Sequence, residues 1–140
     1  MDSNKTIIYL EDRTEDVLLI KRIIKKNASH LNLISYTDTD EFLSDLNKGI
    51  IQEKRPCLFL LDIKMPKKSG IEISEILGQM ESLIGIPRVL LSSSVQPKDI
   101  YAGYASGAHG YVEKASSLTQ LTSDLLRVFD YWTGLNIYRL

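Results

Sequence analysis

The residues Cys57-Leu-Phe-Leu-Leu61 carry no polar side chain and run directly into Asp62. A strand with one face in water alternates apolar and polar residues. A run without alternation needs cover on both faces. It is also too short for a buried helix. Such a stretch is a strand in the middle of a sheet that has helices above and below, and parallel α/β architectures supply that cover. Asp62 then sits at the strand's C-terminal tip, the edge where open α/β sheets hold their ligands.

The rest of the chain fits the same frame. Thr6-Ile-Ile-Tyr-Leu10 reads as a first strand, followed at once by Glu11-Asp12. A helix is expected from about Thr14 to Asn27, with Val17, Ile20 and Ile24 at helical spacing and Thr14 or Asp12 as its cap. Leu31 to Tyr36 reads as a second strand. Asp38-Thr-Asp40 opens a second helix with Phe42, Leu43, Leu46 and Ile50 on one face, and Gly49 to Pro56 reads as a loop or frayed helix end. After Asp62, a loop from Lys64 to Gly70 leads to a helix carrying Ile73, Ile76, Leu77 and Met80. Arg88 to Leu91 forms a fourth strand ending in Ser92-Ser-Ser94. Pro97 suits the first turn of a fourth helix, which runs to about Ser106. Tyr111-Val112 is a short fifth strand before Glu113-Lys114. The last helix places Leu118, Leu121, Leu125, Val128, Phe129 and Trp132 on one stripe and stops at Thr133-Gly134.

Five strand–helix units joined by right-handed crossovers give a (βα)5 doubly wound, five-stranded parallel sheet. At 140 residues this is one expected domain, 1–140, with a core over about 5–132 and a short, apolar tail over 133–140 that docks on its own domain or on a second copy. The net charge of −1 shows no basic surplus for nucleic acid or an acidic membrane. No targeting segment or membrane-length apolar run is visible, so a cytoplasmic protein with neither nucleic-acid nor membrane partners is expected. Cys57 reads as a small buried hydrophobe, and His30 and His109 as solvated or turn residues.

In this fold every strand's C-terminus lies on one edge. Topology therefore gathers Glu11 and Asp12, Asp62, Ser92 and Lys114. Like charges about 4 Å apart repel by roughly 4 kcal/mol at an effective dielectric near 20, so three carboxylates together call for a cation. Oxygen donors with room for water suit Mg²⁺. The absence of His and Cys from the edge disfavours zinc. A carboxylate beside Mg²⁺ can attack phosphorus and form an acyl phosphate, with Lys114 pairing one oxygen and Ser92 donating to another.

These residues, in these places, resemble a response-regulator receiver domain, the flavodoxin-like family that includes the chemotaxis response regulator, which implies a flavodoxin-like sheet. The likeness spans about Lys5 to Trp132. It rests on Glu11-Asp12, on Asp62-Ile-Lys-Met-Pro66-Lys-Lys-Ser-Gly70, on Ser92, on Lys114, and on the aromatic Tyr111 three residues before Lys114. The resemblance implies that Asp62 is the phosphoacceptor. It implies that Asp12, Asp62 and the Lys64 backbone carbonyl bind Mg²⁺ and that Glu11 acts through water. It implies that a sensor histidine kinase or phosphotransfer protein is the donor. Ser92 and Tyr111 become the switch pair, which remodels the face of the fourth helix, fifth strand and fifth helix for a downstream protein or a homodimer. Such a protein is a stand-alone signalling domain rather than an enzyme, catalysing only its own phosphorylation and dephosphorylation.

Three departures from the family pattern stand out. The usual Lys-Pro is Lys114-Ala115, for which a trans bond, or a strained cis one, is expected. Lys64 and Ser94 occupy positions that tune phosphoryl lifetime in the family. The long Gly49–Pro56 segment is similar to a subgroup working with phytochrome-type kinases. Two other readings compete. A Mg²⁺-dependent aspartyl-phosphate phosphatase would need an acid where Lys64 stands. A non-phosphorylated pseudo-receiver would lack Asp12, Asp62 or Lys114, all of which are present.

Overall fold

In the computed structural model, which describes residues 5–138, strand β3 (Pro56–Asp62) is buried along its whole length. It lies at the centre of a five-stranded parallel sheet of order β2-β1-β3-β4-β5, formed with β1 (Lys5–Leu10), β2 (Leu31–Tyr36), β4 (Arg88–Ser92) and β5 (Gly110–Glu113). The two-residue period of a strand explains the two cores. Ile7, Tyr9, Leu58, Leu60, Val89 and Leu91 face α1 (Thr14–Asn27) and α6 (Leu118–Phe129). Their neighbours Ile8, Leu10, Phe59, Leu61 and Leu90 point the other way, into a core completed by α2 (Thr39–Asn47), α3 (Ile50–Glu53) and α4 (Gly70–Gly78).

Helix α5 (Pro97–Ala105) covers the second face near β5, and Gly103 is its one buried residue. Arg88 enters the core from the opposite edge of the sheet. It is 6% exposed and pairs with no carboxylate among the described residues. Its guanidinium donates to Ser74 Oγ at 3.0 Å and lies against Gly78 and Gly107, at the C-terminal ends of α4 and α5. The partial negative charge of two helix ends thus stands in for a counter-ion.

Several sequence expectations need correction. The second helix stops at Asn47, because Gly49 turns left-handed at φ 79°, so Ile50 belongs to a separate helix. The segment from Gly49 to Pro56 is therefore not a frayed end. It contains α3, pinned by the fully buried Ile51. Leu118, assigned to the apolar stripe of α6, is 59% exposed, as the rest of that helix's start is exposed up to the buried Leu121. The chain continues through a π-helical turn, Asp130–Leu135. There Trp132 is half-buried on the first core, with its ring edge-on to Tyr131 and His109. In the tail, Tyr138 folds onto the chain's own core under the Lys5 ammonium, whereas Leu135 and Ile137 are exposed; Arg139 and Leu140 lie outside the described residues. Cys57 is buried, as its apolar surroundings require. No helix among the described residues is long and apolar enough to cross a membrane.

Candidate functional site

The C-terminal tips of β1 and β3 bring Glu11, Asp12 and Asp62 together, with one carboxylate oxygen of each lying within 4.8 Å of the others. Parallel pairing enforces this: Leu10 is in register with Leu61, so the residues that follow emerge side by side. β4 adds Ser92, one residue beyond the register partner of Asp62 and 2% exposed. β5 delivers Lys114, whose backbone N–H donates to the Ser92 carbonyl at 2.7 Å.

Lys114 joins the acids. Its ammonium lies 2.8 Å from Glu11 Oε1, 3.1 Å from Asp62 Oδ1 and 3.4 Å from Asp16 Oδ2. Asp16, on the first turn of α1, was not among the residues expected here. It is the second of two adjacent acids in that turn, after Glu15, and helix periodicity alone does not tell which acid turns inward. Tyr9, on the strand beneath, is a second unforeseen member. Its hydroxyl donates to Glu11 Oε1 at 3.1 Å, and burial holds its ionisation far above the usual range. Burial also raises the Glu11 carboxyl to about 7, against the hydrogen bond and charge of Lys114. Asp62 is raised as well, by burial, although Lys114 opposes the shift. Burial works against the Lys114 ammonium, but the two acids more than offset it and raise its pKa.

Asp12 differs from its neighbours. Position Arg13 precedes α1 and makes no side-chain cap, so neither Asp12 nor Thr14 caps that helix. Asp12 Oδ1 is buried and has no hydrogen-bond partner among the described residues. An orphaned carboxylate oxygen beside two further acids fits a hard divalent cation, which accepts oxygen ligands alone.

The loop after Asp62 closes back on the strand. Ser69 and Glu72 form a capping box that opens α4, and the Gly70 amide donates to the Ile63 carbonyl at 3.1 Å. A Cβ on Gly70 would stand 2.3 Å from the Asp62 carbonyl oxygen, which explains the glycine at the end of the Asp62–Gly70 motif. Lys67, itself at φ 69°, ties the loop to α2 through Asp40 at 2.8 Å and Asp38 at 3.4 Å. Lys64 is exposed at the loop's start. The peptide bond before Ala115 is trans, like every described one. Tyr111 is half-buried, and its hydroxyl donates to the Ser94 carbonyl at 2.8 Å. The edge therefore unites Glu11, Asp12, Asp62 and Lys114, with Ser92 at the adjoining strand end, and His30 and His109 stay outside it.

Residues 7–126 match the response regulator receiver domain. The chain belongs to that family. It takes part in two-component signalling, and receiver domains are signalling modules rather than classical enzymes. Among relatives, it is 29% identical over 130 residues to the response regulator Rcp1 of Synechocystis, covering 91% of this chain and 88% of Rcp1. It is 27% identical over 139 residues to a probable methanogenesis regulatory protein, FilR2, of Methanothrix harundinacea, covering 93% and 84%. Among solved structures, the phosphorylated cyanobacterial phytochrome response regulator RcpA superposes with a TM-score of 0.88 at 26% identity, over 99% of this receiver and 100% of that chain. The Mn²⁺-bound form of Rcp1 superposes with a TM-score of 0.84 at 28% identity, over 97% and 99%.

Proposed function

We propose that this receiver accepts a phosphoryl group on Asp62 from the phosphohistidine of a sensor histidine kinase or phosphotransfer protein. The step depends on Mg²⁺, and the signal leaves by protein–protein contact through α5, β5 and α6. One observation carries the reading: the Asp62 carboxylate lies against Lys114 in an all-oxygen acidic cluster in which Asp12 Oδ1 has no protein partner.

Asp12, Asp62 and the Lys64 backbone carbonyl would hold the ion. Both Glu11 oxygens already accept protein donors, which suits a role through water. When bound, Mg²⁺ neutralises charge on the phosphoryl oxygens. The chain's own residues do the rest. An Asp62 oxygen forms the new bond to phosphorus while the P–N bond to the donor imidazole breaks, its electron pair leaving with the ring nitrogen, which takes up a proton. Lys114 reaches Asp62 on a side chain only 21% exposed, so its charge is little screened where negative charge collects. Ser92 keeps its own hydrogen for a phosphoryl oxygen, because its oxygen is used only to accept the Ser94 N–H. Receiver domains of response regulators work with histidine kinases; the Mn²⁺-bound form of the relative Rcp1 supports a divalent ion here, and the phosphorylated RcpA supports phosphoryl acceptance.

The test is incubation with acetyl phosphate and Mg²⁺, followed by intact mass measurement. The parent should gain one phosphoryl group and Asp62→Ala none. An unchanged parent mass would refute the assignment.

A further inference from the structure

Helix α5 is the least anchored of the long helices. Gly103 alone is buried, and the N-cap residue Gln96 makes no side-chain cap. Its first turn is held from outside, by Ser94. Ser94 Oγ accepts the Gln96 N–H at 3.3 Å and donates to Asp99 Oδ2 at 2.5 Å. The backbone of the same residue faces the site. Its N–H donates to Ser92 Oγ at 3.0 Å, and its carbonyl accepts the Tyr111 hydroxyl at 2.8 Å. Four hydrogen bonds thus converge on one half-buried residue, two toward the strand ends and two toward the helix.

We propose that the Ser94 side chain, paired with Asp99, is the positioning group that makes α5 follow Ser92. The proposal rests on phosphoryl acceptance by Asp62. When the Ser92 hydroxyl donates to a phosphoryl oxygen, its oxygen becomes the stronger acceptor for the Ser94 N–H, as in any hydrogen-bonded chain. Ser94 is drawn with Ser92. Its carbonyl carries Tyr111 along by a backbone contact, which any residue at this position can make. Its hydroxyl carries the helix, through contacts that need this side chain. A helix with so little buried surface has a low local free energy of opening, so an end contact governs its position. Without the hydroxyl, strand β5 still responds and α5 does not.

The experiment is amide hydrogen exchange over 98–105 and over β5, in the whole chain, with and without acetyl phosphate and Mg²⁺, at phosphoryl occupancies matched by intact mass. The parent and Ser94→Thr, which keeps a hydroxyl, should show a phosphoryl-dependent change in the first turn of α5. Ser94→Ala and Asp99→Ala should lose that change yet keep the one in β5. If α5 in either of these responds as in the parent, or if Ser94→Thr fails to respond, the coupling is wrong. The Asp99 variant decides should Ser94→Ala not fold. A parent that gains no mass overturns the reading of Asp62 itself, and this proposal with it.

Discussion

Replacing Lys114 by Met removes one charge and keeps most of the side-chain volume. In the parent the ammonium stands 2.8 Å from Glu11 and 3.1 Å from Asp62. At an effective dielectric near 20, each contact is an attraction of about 5–6 kcal/mol before desolvation. Taking the ammonium out of water costs several kcal/mol, so the net falls well below the sum. The variant leaves Glu11, 0% exposed, with only the Tyr9 hydroxyl and the Arg13 amide. Deleting one partner of a buried pair costs about 3–5 kcal/mol, and that is the expected loss in a chelator. A second counter-ion is available to the same acids, and ligands that bind only the folded state stabilise it by mass action. Excess Mg²⁺ should therefore restore much of the loss, and should raise the variant's urea midpoint more than the parent's. Urea unfolding followed by circular dichroism, at neutral pH with chelator or with Mg²⁺, measures both effects. A loss under about 1 kcal/mol in chelator, the size of an exposed pair, would refute the buried-cluster reasoning. So would equal Mg²⁺ shifts in the two proteins.

Asp12→Asn should weaken Mg²⁺ binding at least tenfold, about 1.4 kcal/mol, without lowering stability in chelator, because Asp12 Oδ1 contacts no protein donor; calorimetric titration checks this. Gly70→Ala should cost about 1–3 kcal/mol in urea unfolding and slow phosphoryl acceptance as well, since its methyl meets the Asp62 backbone rather than a movable side chain. Arg88→Ala should lose about 3 kcal/mol through a buried void and two lost donors, and Arg88→Met distinctly less, as read by denaturant midpoints. His109 accepts the Arg88 N–H on Nδ1, and partial burial with the nearby Arg88 charge lowers its pKa below 6.5. The unfolded chain then takes up this proton first, so stability should fall as pH drops below about 6.5. His109→Gln should flatten that part of the pH profile in thermal melts.

The central strand, the sheet type and the edge holding Glu11, Asp12, Asp62, Ser92 and Lys114 could be read from residue order, because parallel topology alone places strand ends together. What could not be read depends on rotation and depth. Asp16 reaches Lys114 through the phase of α1, and Tyr9 reaches Glu11 because that acid points inward beneath the edge. The separate helix α3 hides behind a charged stretch, since one buried residue, Ile51, is enough to seat a single turn. Leu118 fits the periodicity of α6 yet lies exposed, and periodicity alone does not record where along a helix its packing begins. Ser94 and Asp99 are ordinary loop and helix residues until their hydroxyl–carboxylate bond is seen.

The shallow seating of α5 also bears on how such a chain can diverge. Tyr101 and Tyr104 are 76% and 51% exposed, on a helix whose one buried position is a glycine. Substitutions on its outer surface disturb neither core and touch none of the clustered acids. With the signal leaving through α5 as proposed, partner recognition can be rewritten one residue at a time while the carboxylate edge stays as it is. Acceptance chemistry and recognition would then vary separately, with Ser94 the proposed joint between them.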